Sequence, residues 1–210
     1  VEYRINNINQ VQLNSKAGMN FADGLRSILR QDPDVVMVGE IRDLETARVA
    51  VQAALTGHRV LSSLHTNDAA GAVTRLLDMG VEPFLVSSVL NAAFAQRLVR
   101  QICPACKQPY QPSEEVLKHW DLGTKVNGNL VHGRGCFNCL NTGYKGRSGV
   151  YEVLVIDDTI QDLILQHQPA REIRKAAIKA GNFTTLRENA VEKVLQGVTT
   201  LEEAASVVAD

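Results

Sequence analysis

DPDVVMVGEIRD, residues 32–43, sets a short apolar run between a proline turn and a charged loop. Pro33 closes any helix that precedes it, because its ring and missing N–H disfavour continuation. Val35 to Val38 is uninterrupted by polar residues, the pattern of a strand buried on both faces, as in a parallel sheet. Glu40 stands just past the end of that run, and Asp43 is a residue type that caps a following helix.

The flanking sequence extends the same alternation. Upstream, Phe21, Leu25, Ile28 and Leu29 fall at i, i+4, i+7 and i+8, one face of a helix, with Asn20 and Asp23 at its start. Downstream, Leu44, Ala47, Val51, Ala54 and Leu55 form the apolar side of a second helix that Gly57 can end. HRVLSSLH (58–65) reads as a second strand, and NDAAGAVTRLLDMG (67–80) as a helix closed by Gly80. Pro83 suits the first turn of a further apolar helix, expected to run to about Val99. Strands alternating with helices at this spacing predict an α/β fold with a parallel sheet and helical crossovers.

That arrangement has a chemical consequence. Ligands of open parallel sheets bind beyond the carboxyl ends of the strands. Glu40 and His65 each follow a strand, so both emerge on one edge, whereas His58 begins its strand and belongs to the opposite edge. A glutamate there can orient and deprotonate a water that attacks a γ-phosphate, and a histidine can donate to phosphate oxygens. The plain alternatives are a solvated loop acid for Glu40 and a polar residue beside the helix cap for His65. A phosphate-binding loop, G-x-x-x-x-G-K-[ST], does not occur in the chain. The chain begins with Val1, with neither an initiator methionine nor a leader-like apolar segment, and reads as a piece of a longer protein.

The four cysteines form two C-x-x-C pairs, Cys103 with Cys106 and Cys136 with Cys139. Two such pairs let four thiolates converge on one Zn²⁺ ion, each pair folded as a knuckle, and GRGCFNCLNTGYKG (133–146) is rich in the glycine that knuckles use. Four thiolates leave no open coordination position, so the expected metal is structural. Disulfides are the alternative, and the absence of a leader counts against them. Between the pairs, Lys107, Lys118 and Lys125 are set against Glu114, Glu115 and Asp121, which is no footprint for nucleic acid.

The whole chain of 210 residues is 45% hydrophobic and 21% charged, with a formal net charge of -1. These values describe a soluble globular protein with no global attraction to nucleic acid or anionic membrane. The uncharged stretch from Pro83 to Gln96 is shorter than the roughly 20 residues a spanning helix needs. Beyond the cysteines, GRSGVYEVLVI (146–156) reads as a strand. It is followed by helical segments in which Thr185 and Thr200 sit where a capping box places its hydroxyl.

Taken together, LRQDPDVVMVGEIRD, TGHRVLSSLHTNDA, AQRLVRQICPAC and the closing TTLREN…GVTTLEE resemble the secretion ATPase superfamily. More narrowly, they are similar to the type II secretion and type IV pilus assembly ATPases. The resemblance implies a RecA-like core of the P-loop ATPase kind in residues 1–100, a tetracysteine zinc-binding subdomain in 101–145 and a C-terminal helical subdomain in 146–210. It makes Gly39-Glu40 the end of the Walker B strand, with Gly39 where an ordinary Walker B aspartate would stand. Glu40 then matches the acid implicated in hydrolysis, and His65, in a histidine box from Thr56 to Asp68, approaches the nucleotide. Val1 and Glu2 match the end of an aspartate box, and the Walker A loop is implied further upstream. Gly39, Glu40, His65 and Arg97 are the implied nucleotide-binding residues, and Arg42 and Arg97 are candidates for completing a neighbouring site, with surface salt bridging as their plain alternative. The resemblance further implies ATP and Mg²⁺ in the full-length protein, a homo-hexameric ring, and an inner-membrane platform protein as partner. It also implies a cytoplasmic location at the face of the bacterial inner membrane, and an isolated piece that is inactive. The tetracysteine insert favours the assembly and secretion branch over retraction motors. The contrasting reading is a zinc-knuckle protein-binding module without an ATPase role.

Overall fold

A computed structural model of the chain describes all residues except 2, 15, 17, 124–129, 182, 209 and 210. Glu2 of the expected aspartate-box remnant and Lys125 therefore lie outside the described residues. Along the chain run α1 (Phe21–Leu29), β1 (Val35–Val38), α2 (Leu44–Leu55), β2 (Arg59–Ser62), α3 (Ala69–Asp78), α4 (Pro83–Val89), β3 (Ala92–Ile102) and β4 (Lys107–Tyr110). They continue with α5 (Glu114–His119), β5 (Leu130–Gly133), β6 (Tyr144–Val155), α6 (Asp158–Leu165), α7 (Ala170–Ala180), α8 (Leu186–Leu195) and α9 (Leu201–Val207). The residues divide into two compact units, Val1–Ala93 with Val155–Lys179, and Phe94–Leu154 with Ala180–Asp210.

In the first unit, β1 and β2 are parallel neighbours in register from Val35 with Arg59 to Val38 with Ser62. The crossover between them is α2. Its N-cap is Asp43, whose carboxylate accepts the Thr46 N–H at 2.8 Å, and the chain leaves it through Gly57 at φ +97°. Asn20 and Asp68 cap α1 and α3 in the same way. The core is built from alanines and β-branched residues: Ala47, Ala50 and Ala53 of α2, Ala69 and Val73 of α3, and Ile160, Ile164 and Ile173 of α6 and α7 are buried. Full burial of each isoleucine contributes roughly 1.5–3 kcal/mol. β1 is not buried on both faces as its apolar run predicts. Val36 and Val38 are buried, but Val35 and Met37 are 53% and 73% exposed, so β1 buries one face in this chain. Alternation of side chains along a strand sends every second residue to the other face, which no described element covers.

The segment from Pro83 to Val99 is not the single helix expected from its sequence. The helix stops at Val89, Leu90 is extended, and β3 follows from Ala92. Ala93, Ala95 and Val99 point inward while Phe94, Gln96 and Leu98 point out, a two-residue period that serves pairing with β6. In the second unit, Val99, Trp120, Leu122, Leu130, Val150, Ala190, Val194, Leu201 and Ala204 form one core cluster. The antiparallel pair β4 and β5 runs from Lys107 with Gly133 to Tyr110 with Leu130. This hairpin-like pair bridges the two cysteine knuckles.

Candidate functional site

The segment after β1 is pinned at three places. Ser63, just past β2, donates its hydroxyl to the Gly39 carbonyl at 2.6 Å, and its own carbonyl accepts the Ile41 N–H at 3.0 Å. Asp43 is held at the α2 cap. The Ile41 side chain is buried, so Glu40 and Arg42, on either side of it in an extended stretch, project the other way.

That projection brings Glu40 to His65, with Nε2 donating to Oε2 at 2.9 Å. The other carboxylate oxygen, Oε1, accepts from the Arg42 guanidinium at 2.6 Å. The Glu40 side chain is only 20% exposed, while those of His65 and Arg42 are 77% and 65% exposed. Arg42 holds the Glu40 carboxyl below the usual carboxylate range, outweighing the opposing effect of partial burial, and His65 adds to the lowering. Glu40 is therefore an ionised acceptor at neutral pH, with one oxygen bonded to Arg42 and the other to His65. Such a carboxylate can take a proton from a water placed within hydrogen-bond reach.

Of the other expected nucleotide-binding residues, Gly39 contributes backbone only. A Cβ there would meet the Phe21 ring at 3.5 Å, an ordinary contact, so space alone does not require glycine. Arg97 belongs to the second unit, on β3, where it donates to the Gln96 carbonyl at 3.3 Å. His58 immediately precedes β2, at the end opposite His65, its Nδ1 3.1 Å from the carbonyl of Ala53 in α2. One partner escaped sequence reading: Ser63 carries no signal beyond its place after a strand. The Arg42 contact with Glu40 is the surface salt bridge that stood as the plain alternative for that arginine.

The four cysteine sulfurs lie within 4.8 Å of one another, and none is in a disulfide. Cys103 and Cys136 are 3.9 Å apart at sulfur, Cys106 and Cys139 3.9 Å, and Cys136 and Cys139 3.7 Å. Four sulfurs around a tetrahedral Zn²⁺, with bonds near 2.3 Å, are about 3.8 Å apart. The donor set therefore fits a closed zinc site. The backbone brings the knuckles together at Gly143, whose carbonyl accepts the Cys103 N–H at 2.9 Å and whose N–H points to the Cys139 sulfur at 3.3 Å. Gly143 has φ +78°, and a Cβ on the facing Gly133 would overlap the Gly143 carbonyl, so both positions need glycine. Burial is the largest influence on Cys139 and opposes its ionisation. The N–H groups of Cys136 and Gly143 and the neighbouring thiols overcome it and bring the thiol down to about 6. Burial pushes Cys106 up to about 11.

The chain combines an α/β scaffold, with an acid–histidine pair at a parallel-strand edge, and a tetracysteine cluster in its second unit. A family model described as "Type II/IV secretion system protein" matches residues 1–206. The chain is 52% identical over 207 residues, 99% of its length, to the type II secretion system ATPase E of Vibrio cholerae serotype O1, and covers 41% of that protein. It is 52% identical over 205 residues to the type IV pilus assembly ATPase PilB of Thermus thermophilus, covering 97% of this chain and 23% of that one. Among solved structures it is similar to the pilus retraction motor PilT with bound ADP, at a TM-score of 0.61 and 27% identity over 91% of this chain and 44% of that one. It is also similar to the Legionella pneumophila ATPase DotB, at a TM-score of 0.60 and 25% identity over 90% of this chain and 42% of that one.

The fold is thus an α/β fold of the kind found in secretion ATPases. The chain belongs to the type II/IV secretion system protein family. It spans about two fifths of the length of the Vibrio cholerae relative. Among the described residues, no helix is long and apolar enough to cross a membrane.

Proposed function

We propose that the chain is the C-terminal ATPase-domain part of a hexameric motor that couples ATP hydrolysis to assembly of type IV pili or type II secretion pseudopili. The observation that carries this reading is the 2.9 Å contact between Glu40 and His65 at the carboxyl edge of the parallel pair. In it, Glu40 orients and deprotonates the attacking water, and His65 turns its ring toward the phosphate oxygens. Gly39 offers its backbone at the strand end. Since it carries no carboxylate, Mg²⁺ would be held chiefly by the phosphates and by residues of the longer protein. Arg97 remains a candidate nucleotide contact in the assembled ring. Cys103, Cys106, Cys136 and Cys139 would hold one Zn²⁺, which supplies a covalent staple for the knuckles rather than chemistry.

The functional partition proposed with this reading is a RecA-like core in 1–100, a zinc subdomain in 101–145 and a helical subdomain in 146–210. The motor works in the cytoplasm at the inner membrane, against a platform protein. A zinc-knuckle module without an ATPase role is disfavoured, because the family match extends across both units rather than over the cysteines alone.

Comparison of this chain with the longer protein tests the division of labour. The longer protein should show magnesium-dependent ATP turnover, and this chain by itself should stay at background. Robust turnover by the 210-residue chain would contradict the account.

A further inference from the structure

Glu40 has two oxygens, and the chain engages both with different partners. His65 takes Oε2 from the end of the neighbouring strand. Arg42 takes Oε1 at 2.6 Å from two residues further along the same segment. An exposed ion pair taken by itself adds little to stability, about 0–1 kcal/mol. The setting of this one is not that of a loose surface pair. The buried Ile41 side chain, the Ser63 carbonyl on its N–H and the Ser63 hydroxyl on Gly39 fix the backbone from which both side chains leave. Glu40 is largely enclosed, so its carboxylate has few alternative directions.

We propose that Arg42 is a positioning residue for Glu40, holding Oε1 so that Oε2, the oxygen that His65 also contacts, is presented in a fixed direction to the water to be activated. The inference rests on the reading of Glu40 as the general base. Arg42 supplies orientation and positive charge together, the two properties that decide how a carboxylate base performs. The remaining charged groups nearby are committed elsewhere. Asp43 caps α2 through the Thr46 N–H and hydroxyl, and Glu45 pairs with Arg26, which also bonds Asp23. Arg42 and His65 are thus the charged or titratable side chains in contact with Glu40 among the described residues. The lowered Glu40 pKa follows from the same contact and gives the test its readout.

The sign of the effect is fixed by the geometry. A guanidinium beside a carboxylate favours the ionised form, so its removal raises the pH at which the base becomes protonated. In the longer protein, Arg42→Gln should lower kcat about tenfold and move the acid limb of the pH profile of kcat/KM to higher pH. Arg42→Lys, which keeps the charge, should leave the limb closer to its original position than Arg42→Gln does. A purely structural Arg42 would change yield or thermal stability in both variants while leaving the limb unmoved, and that result overturns the proposal. Glu40→Gln, measured alongside, separates the two readings. If it abolishes turnover while Arg42→Gln leaves the limb in place, only the Arg42 assignment fails. If it retains turnover, both fail.

Discussion

The Glu203 carboxylate is held by three donations from one residue. The Arg100 backbone N–H reaches it at 2.8 Å, Nε at 2.9 Å and a terminal guanidinium nitrogen at 2.5 Å. The same guanidinium lies 4.2 Å from the centre of the Tyr144 ring, and the Tyr144 hydroxyl meets Thr200 at 2.8 Å. Thr200 caps α9, and its expected capping-box partner Glu203 turns to Arg100 instead of back to the cap. Hydrogen bonds to a charged group contribute about 1.5–3 kcal/mol. Arg100 draws the Glu203 pKa below its ordinary value of 4.5 against the opposing pull of burial. A carboxylate with a lowered folded-state pKa contributes stability above its ordinary value and loses it as pH falls through the folded value. Denaturant unfolding of this chain should therefore show Glu203→Gln destabilised by about 1–3 kcal/mol near neutral pH. The gap should narrow as the wild type is taken to acid below its ordinary carboxylate range. Curves that stay parallel down to acid pH would remove Glu203 from this role.

At the scale of elements, local signals were sufficient where one period ruled and insufficient where two competed. The caps Asn20, Asp43 and Asp68 and the exits Gly57 and Gly80 were legible because each acts within one turn. The stretch from Pro83 to Val99 satisfies an apolar helix and an alternating strand equally well. Pairing of β3 with β6, far along the chain, decides it, and no local window contains that information. The knuckles were legible from spacing alone, because a C-x-x-C turn carries its own geometry. What spacing could not supply is the crossing of Gly133 and Gly143 that joins them. Native chain purified without chelator should carry about one equivalent of zinc, and a thiol-directed chelator should lower its unfolding midpoint. Absence of metal together with four freely titrating thiols in the native chain would end the zinc assignment.

For the whole molecule, the candidate site was legible as far as the sheet edge. Glu40 and His65 follow strands that sequence pattern could place side by side, and the structure brings them into hydrogen-bond contact. That Arg42 pairs with Glu40 in particular was not legible. It depends on Ile41 being buried and Ser63 being bonded to its neighbours, facts of packing rather than pattern. The exposed face of β1, with Val35 and Met37, was misread for a related reason, since an apolar run reports what a strand can bury and not what covers it. The central claim is that this site supplies the base for hydrolysis in the longer protein, and Glu40→Gln there tests it most directly. Glutamine keeps the shape of the side chain and removes its capacity to take a proton. Nucleotide affinity should stay near that of the wild type, while magnesium-dependent turnover falls by about a hundredfold or more. Turnover within a few fold of wild type, with nucleotide bound normally, would contradict it.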